Sequence, residues 1–273
     1  MSYQIVIPSY KRSAIVQERT LTTLKSLGIC KDLIHLFVVQ EDLEDYQATC
    51  NPDYYGQIIV GLRGLAHQRD FISKYYPVGT QIVSLDDDIE SLDLSLTEYK
   101  TADEFFKVAF QVCNDEGAYI WGIYPVFNAY FRKNRKPITT DLTYIVGAIY
   151  GYINRPADPE LDLKIALDGD KEDVERTLLY WKKDKKVIRF NRVGFKTKYY
   201  GTDGGGLGKF KDRIGRMAIQ SGLINKAYPD ITKIKVRKNG MTEILFRPNG
   251  VKPTKARKAK NILLSSSQPL IRI

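Results

Sequence analysis

Short apolar runs alternate with amphipathic stretches over the first hundred residues. Residues 4–9 form an apolar run that ends at a turn and read as a buried strand. Residues 12–27 place Ile15, Val16, Leu21, Leu24 and Leu27 at helical spacing, and Gly28 follows as a stop signal. Residues 33–39 and 57–60 read as further strands. Residues 65–76 read as a helix that ends before Pro77, and residues 81–85 as a fourth strand running into Asp86-Asp87-Asp88. Continuous apolar strands separated by helices predict a mostly parallel sheet covered on both faces.

The pattern changes after residue 100. Residues 102–113 carry Phe105, Phe106, Ala109, Phe110 and Cys113 on one helical stripe. Aromatic, glycine-spaced strands are expected at 119–124, 127–131 and 144–152, and a helix at 172–181. Two strands and a turn are expected within 187–200, and another helix at 210–221. Residues 234–236 and 242–246 flank Asn239-Gly240, which predicts a hairpin. Together these predict one α/β chain with a mixed, aromatic-rich second half. A basic hairpin and arm are expected over 231–273.

Composition changes the picture little, but charge does. The 273 residues are 43% apolar and 27% charged, as in a globular protein. No apolar run is long enough to span a membrane. The first residues lack the pattern of a secretory signal, and three well-separated cysteines fit a reducing compartment, so a cytoplasmic location is expected. Only His35 and His67 are available, which excludes a histidine-rich metal site. Residues 231–273 hold eleven Lys and Arg against the single acid Glu243, so this segment carries the whole net charge of +10. A second basic run spans 182–198. Such an end is either a solvated tail or a surface for a polyanion such as nucleic acid.

The acidic triplet is the chief chemical feature. Ligands of α/β sheets bind beyond the carboxyl ends of strands. Alternation puts Asp86 and Asp88 on one side, where two carboxylates repel unless a cation lies between them. Mn2+ or Mg2+ takes such oxygen ligands and is commonly shared with substrate phosphates. The plainer alternative is a solvated acidic turn. Just before the 65–76 helix, Gly61 and Gly64 would let a ligand approach the backbone, and Arg63 and Arg69 could pair with phosphate or with Asp86. His67 is equally an ordinary polar helix residue. Asp170 reads as a helix cap. Glu172 or Asp173 could serve as a general base if the helix start faces the cleft, and the residues alone do not separate them. The segment 201–208 has five glycines and reads as a lid or a linker.

Taken in order, four segments resemble a GT-A type glycosyltransferase. Ile5-Val6-Ile7-Pro8-Ser9-Tyr10-Lys11-Arg12 resembles the first strand and nucleotide-contacting loop. Gly64-Leu65-Ala66-His67-Gln68-Arg69-Asp70 resembles the helix that brings an arginine near the donor. Leu85-Asp86-Asp87-Asp88 resembles the DxD motif, and Lys171-Glu172-Asp173 with Arg176 resembles the late acidic motif of inverting members. The resemblance implies a GT-A-like catalytic domain over 1–230, with a nucleotide-sugar half at 1–100 and an acceptor half at 101–230. It implies metal on Asp86 and Asp88, and Asp173 or Glu172 as the base. Pro8, Tyr10, Arg12, Arg69, Asp86 and Asp87 would lie around a nucleotide-sugar donor, with UDP-glucose foremost. A histidine after the acidic motif and a Gly-Trp-Gly acceptor segment are missing.

Within that group, the pattern from Ser84 to Ile89, the aromatic middle and the basic tail resemble phage and viral enzymes that glycosylate hydroxymethyl pyrimidines in DNA. This implies DNA as acceptor and the host cytoplasm as location, with Tyr199 and Tyr200 available for stacking on a flipped base. A glycan or protein acceptor, nucleotidyl transfer, and plain nucleic-acid binding are the alternatives.

Overall fold

The computed structural model describes residues 2–166, 170–197 and 213–247. Strand β1 (Tyr3–Pro8) leads into a helical stretch of α1 (Ser13–Val16), a π turn (Gln17–Leu21) and α2 (Thr22–Ser26). Gly28, at φ 70°, takes the left-handed conformation that ends it. Strand β2 (Ile34–Val38), helix α3 (Leu43–Thr49), strand β3 (Gln57–Val60), helix α4 (Leu65–Tyr75) and strand β4 (Gln81–Leu85) follow. Then come β5 (Ile89–Asp93), α5 (Ala102–Glu116), β6 (Ile120–Ile123), β7 (Ile138–Thr139) and β8 (Ile149–Ile153). The described chain ends with α6 (Glu172–Asp184), β9 (Ile188–Phe190), β10 (Gly194–Thr197), α7 (Arg213–Ala227), β11 (Thr232–Val236) and β12 (Thr242–Phe246).

Eight strands form the central sheet in the order β3-β2-β1-β4-β8-β6-β9-β7. The first four are parallel; β8 runs against β4 and β6, and β6 is again parallel to β9. This is the expected class: a mostly parallel sheet flanked by helices, with a mixed second half. Every residue of β4 is buried, which explains its unbroken apolar pattern. One face packs under α1 to α3 and α5, with Trp121, Phe105, Phe106 and Phe110 at its centre. The other packs under α4 and α6, around Tyr150, Tyr152, Ile72 and Tyr180. Helix α5 shows why these boundaries form. The Thr101 side chain accepts from Glu104 N–H, and Gly117 at φ 64° closes the end.

Three expectations are corrected. Residues 127–131 are not a strand but an exposed turn around Ala129–Phe131; the apolar run there is not buried. The strand expected at 144–152 begins only at Ile149, because 144–148 turn across the sheet edge toward α6. Asp170 does not cap α6; its carboxylate pairs with Arg216 Nη2 at 2.7 Å. The β11–β12 hairpin forms around Asn239-Gly240 as expected and packs Ile244 and Phe246 near Leu178 and Ile224. The glycine run 201–208, Lys198, Tyr199, Tyr200 and the arm from residue 248 onward lie outside the described residues. No described helix is long and apolar enough to cross a membrane.

Candidate functional site

The triplet sits where β4 ends, at the carboxyl edge of the parallel strands. Its turn is tied from below by Thr20, which the π turn carries into the interior. The Thr20 hydroxyl donates to the Asp86 carbonyl and accepts from Ile89 N–H, both at 2.9 Å. A π turn shifts side-chain register by one residue, and such turns recur at functional sites.

The three aspartates then diverge. Asp87 is buried; it accepts from Ser9 Oγ and from Arg12 Nη1, each at 2.6 Å. Asp88 accepts from Arg12 Nη2 at 3.0 Å and from Thr197 Oγ1 at 2.6 Å. Asp86 is the most open of the three, with its side chain 38% exposed, and accepts from Arg69 Nη2 at 3.2 Å. Among the described residues its second oxygen has no hydrogen-bond partner. Asp87 therefore locks the triplet to the loop after β1, while Asp86 faces outward.

Helix α6 brings the late acidic pair to the same place. Glu172 is buried, with one carboxylate oxygen against Arg69 Nη1 and the other against Arg176 Nη2. Asp173 is half-buried. It accepts from the Tyr144 hydroxyl and from Gly147 N–H at 3.3 Å, while its other oxygen accepts from Val174 N–H at 2.8 Å. Gly147 permits this closure. A Cβ there would meet Asp173 Cβ and Glu172 Oε1 at 3.2 Å and Arg69 Nη1 at 3.4 Å. The Gly147 carbonyl in turn accepts from Arg69 Nη2 at 3.0 Å.

Four of the five carboxylates gathered here (Asp86, Asp87, Asp88 and Glu172) share three arginines, Arg12, Arg69 and Arg176, while Asp173 is held by Tyr144, Gly147 and Val174. With every carboxylate ionised, five negative charges would face three positive ones, a formal surplus of two. Partial withdrawal of Asp86 from solvent at the strand edge, with Asp88, Asp87 and Asp173 nearby, pushes its carboxyl up to about 7 against the opposing pull of Arg69, its partly open side chain notwithstanding. Burial and Asp88 push Asp87 up to about 6, against Arg12 and Ser9.

The remaining expected residues lie around this cluster. Pro8 ends β1, and Arg12 is turned onto Asp87 and Asp88. The Tyr10 ring is half-buried beneath the Arg63 guanidinium, 5.3 Å from its centroid. Gly64 has φ 94°, but the space beside Gly61 is filled by Gln68, whose Oε1 accepts from Leu62 N–H at 2.6 Å. His67 is exposed and Arg69 buried. Tyr46, whose hydroxyl lies 2.6 Å from Ser9 Oγ and accepts from Arg12 N–H at 3.1 Å, and Thr20, Tyr144 and Thr197 are partners that sequence reasoning missed. Each reaches the site from a distant segment, and none carries a local motif. Asp42 was missed too; it accepts from the N–H of Lys11, which stands at φ 54°.

Among the described residues, no three His, Cys, Asp or Glu side chains converge into a metal cage. The donor set still fits a hard divalent cation. Asp86 keeps one carboxylate oxygen without a hydrogen-bond partner among the described residues, Asp88 would exchange its contacts with Thr197 and Arg12 for the ion, and substrate phosphates and water commonly complete such sites. A cavity of about 330 Å³ lies on the other side of Arg69, between α4 and α6; Asp86, Asp88 and Asp173 do not line it.

No protein-family model matches the sequence, and no curated protein does. Similar solved structures include TarS from S. aureus, with a TM-score of 0.48 and 13% identity over 82% of this chain. The chain spans only 40% of that TarS chain. Another is glucosyl-3-phosphoglycerate synthase from Mycobacterium tuberculosis, determined with Mn2+, UDP-glucose and phosphoglyceric acid. Its TM-score is 0.47 at 9% identity, over 89% of this chain and 86% of that one. A third is the mannosyltransferase PcManGT from Pyrobaculum calidifontis with GDP-mannose and Mn2+, at a TM-score of 0.45 and 14% identity, over 84% and 64% of the two chains.

Proposed function

We propose that this protein is a metal-dependent glycosyltransferase that moves a sugar from a nucleotide-sugar donor to a hydroxyl group with inversion. The observation that carries the reading is the meeting of Asp86, Asp88 and Asp173 at one strand edge, in a cluster with surplus negative charge. An acidic turn built only for structure would be neutralised by its neighbours. Here Asp87 is held by Arg12 and Ser9, whereas Asp86 shares Arg69 with Glu172 and keeps one oxygen without a hydrogen-bond partner among the described residues.

Asp86 and Asp88 would hold Mn2+ or Mg2+, which when bound supplies positive charge to the departing diphosphate. Pro8 and Tyr10 border the space for the nucleoside, and Arg12 and Asp87 set the triplet's orientation. Arg69 fixes Asp86 relative to α6. Asp173 takes the acceptor proton. Glu172 is unsuited to that role, since it is buried and both its oxygens are held by arginines. Tyr144 and Gly147 fix the direction of Asp173. The acceptor oxygen bonds to the anomeric carbon, the bond from that carbon to the diphosphate breaks, and the proton passes to Asp173. Attack from the face opposite the leaving group inverts the centre.

For the acceptor we favour a hydroxymethyl pyrimidine in DNA, and for the donor UDP-glucose. The supporting feature is charge: 231–273 carries the net +10 of the chain, and Lys233, Lys235, Arg237 and Lys238 on the hairpin are exposed. Calorimetry with a panel of nucleotide sugars, with and without manganese, tests the reading. Manganese-dependent binding of one sugar nucleotide is expected; no binding across the panel by folded protein refutes it.

A further inference from the structure

Residues 127–131, expected as a strand, belong to an exposed aromatic and basic loop that joins β6 to β7 over residues 125–137. We propose that it is the platform on which a nucleic-acid strand docks beside the carboxylate site. This inference rests on the reading of DNA as acceptor.

Its position follows from the sheet. Strand β8 runs against both β4 and β6, so β6 ends at the same edge as β4 and the triplet. The loop leaves that edge. It is anchored from below by Arg132, which is fully buried. Arg132 pairs with Asp93, at the end of the strand that follows the triplet, and donates to Arg192 O at 2.6 Å and Phe127 O at 2.8 Å. Asn191 closes the far end, its N–H donating to Pro137 O at 2.8 Å and its Nδ2 to Lys136 O at 3.0 Å.

On this fixed frame the outward residues are unusual. Phe127, Tyr130 and Phe131 are 44%, 70% and 51% exposed. Lys133, Arg135 and Lys136 are exposed beyond them, with Lys133 Nζ 5.5 Å from the Tyr130 ring centroid, and 125–137 contains no acid. Rings that cost free energy in water, set among cations without a counter-charge, match a strand of stacked bases and phosphates. The Tyr130 and Phe131 rings stand at 87° to one another, so they present separate faces rather than one flat apolar surface. That geometry favours bases over a lipid surface, which would take a continuous apolar patch.

The test uses the full chain and a short single-stranded oligonucleotide, followed by fluorescence anisotropy over a range of salt. Tyr130→Ala with Phe131→Ala should weaken binding about tenfold or more and leave the salt slope unchanged. Lys133→Ala with Lys136→Ala should reduce that slope by roughly 1.4, two phosphate contacts' worth for a single strand. All four side chains are exposed, so melting temperatures should match the parent. Binding of UDP-glucose by the same variants should be unchanged. Oligonucleotide binding that ignores both pairs, or is absent in the parent, overturns the platform. So does loss of binding to anionic lipid vesicles with oligonucleotide binding intact. If the parent binds oligonucleotide through the loop but binds no sugar nucleotide, the platform stands and the glycosyltransferase reading falls.

Discussion

The Arg69 guanidinium lies against the Glu172 carboxylate in the protein interior, joining α4 to the start of α6. Arg176 holds the other Glu172 oxygen, so one buried acid serves two buried arginines. Removing one partner of a buried ion pair strands the other. Glu172→Gln should therefore cost about 3–5 kcal/mol, read by urea unfolding. Parent-like stability would show that Asp86 and solvent suffice to hold the arginines.

Asp173 is the contrasting neighbour. Asp173→Asn keeps size and shape and removes the proton acceptor. Sugar transfer should fall by about 10²–10⁴-fold while calorimetric donor affinity is retained. Full turnover would move the base elsewhere, and loss of donor binding would make Asp173 part of the donor site instead.

Asp86 makes the site sensitive to pH. A cation needs the ionised carboxylate, and that carboxyl is pushed up to about 7. Apparent manganese affinity should therefore drop by nearly tenfold per pH unit below that value. Stability of the metal-free protein should move the other way. A carboxyl raised in the folded state keeps a proton that the unfolded chain has lost, so the folded form gains as pH falls from about 8 to about 5.5. Asp87, pushed up to about 6, acts with the same sign. Melting temperature should rise over that interval without metal, and Asp86→Asn should flatten both profiles. A melting temperature that falls over it would sink the assignment.

What the sequence disclosed follows from which signals are local. Strands β3 and β4 were legible to the residue because each is a short apolar run bounded by turn residues; burial on both faces explains this for β4, whereas β3 lies at the sheet edge and is only partly covered. The triplet was legible because it directly follows such a run. The turn at 127–131 was not, since its apolar run is the same whether it is buried or presented to solvent. Neither was the division of labour between Glu172 and Asp173. It depends on where Arg69 and Arg176 point, and Arg69 arrives from another helix. Asp170 reads as a cap by local rules, yet Arg216 claims it from a distant helix. Thr20 and Tyr144 carry no motif at all; only the folded chain gives them partners at the site.

The platform of strands beneath the site has its own point of least tolerance. Gly151 of β8 lies opposite Trp121 of β6, and also beside Val83 of β4. The Trp121 indole is fully buried and rests on the glycine: an added Cβ would stand 2.3 Å from its Cε2 and 2.4 Å from its Nε1. The ring cannot swing away, since Phe105, Phe106, Phe110 and Phe190 pack around it at centroid distances of 5.4 to 6.2 Å. Gly151→Ala should therefore destabilise by overpacking, at about 1–3 kcal/mol, despite the better strand propensity of alanine. Urea unfolding followed by tryptophan fluorescence reads both the stability and the displaced indole. Because β4 carries the triplet and pairs with β8, manganese affinity should weaken in parallel. An alanine accepted with unchanged stability would mean that the β6–β8 pair is looser than this packing implies, and the carboxylate edge with it.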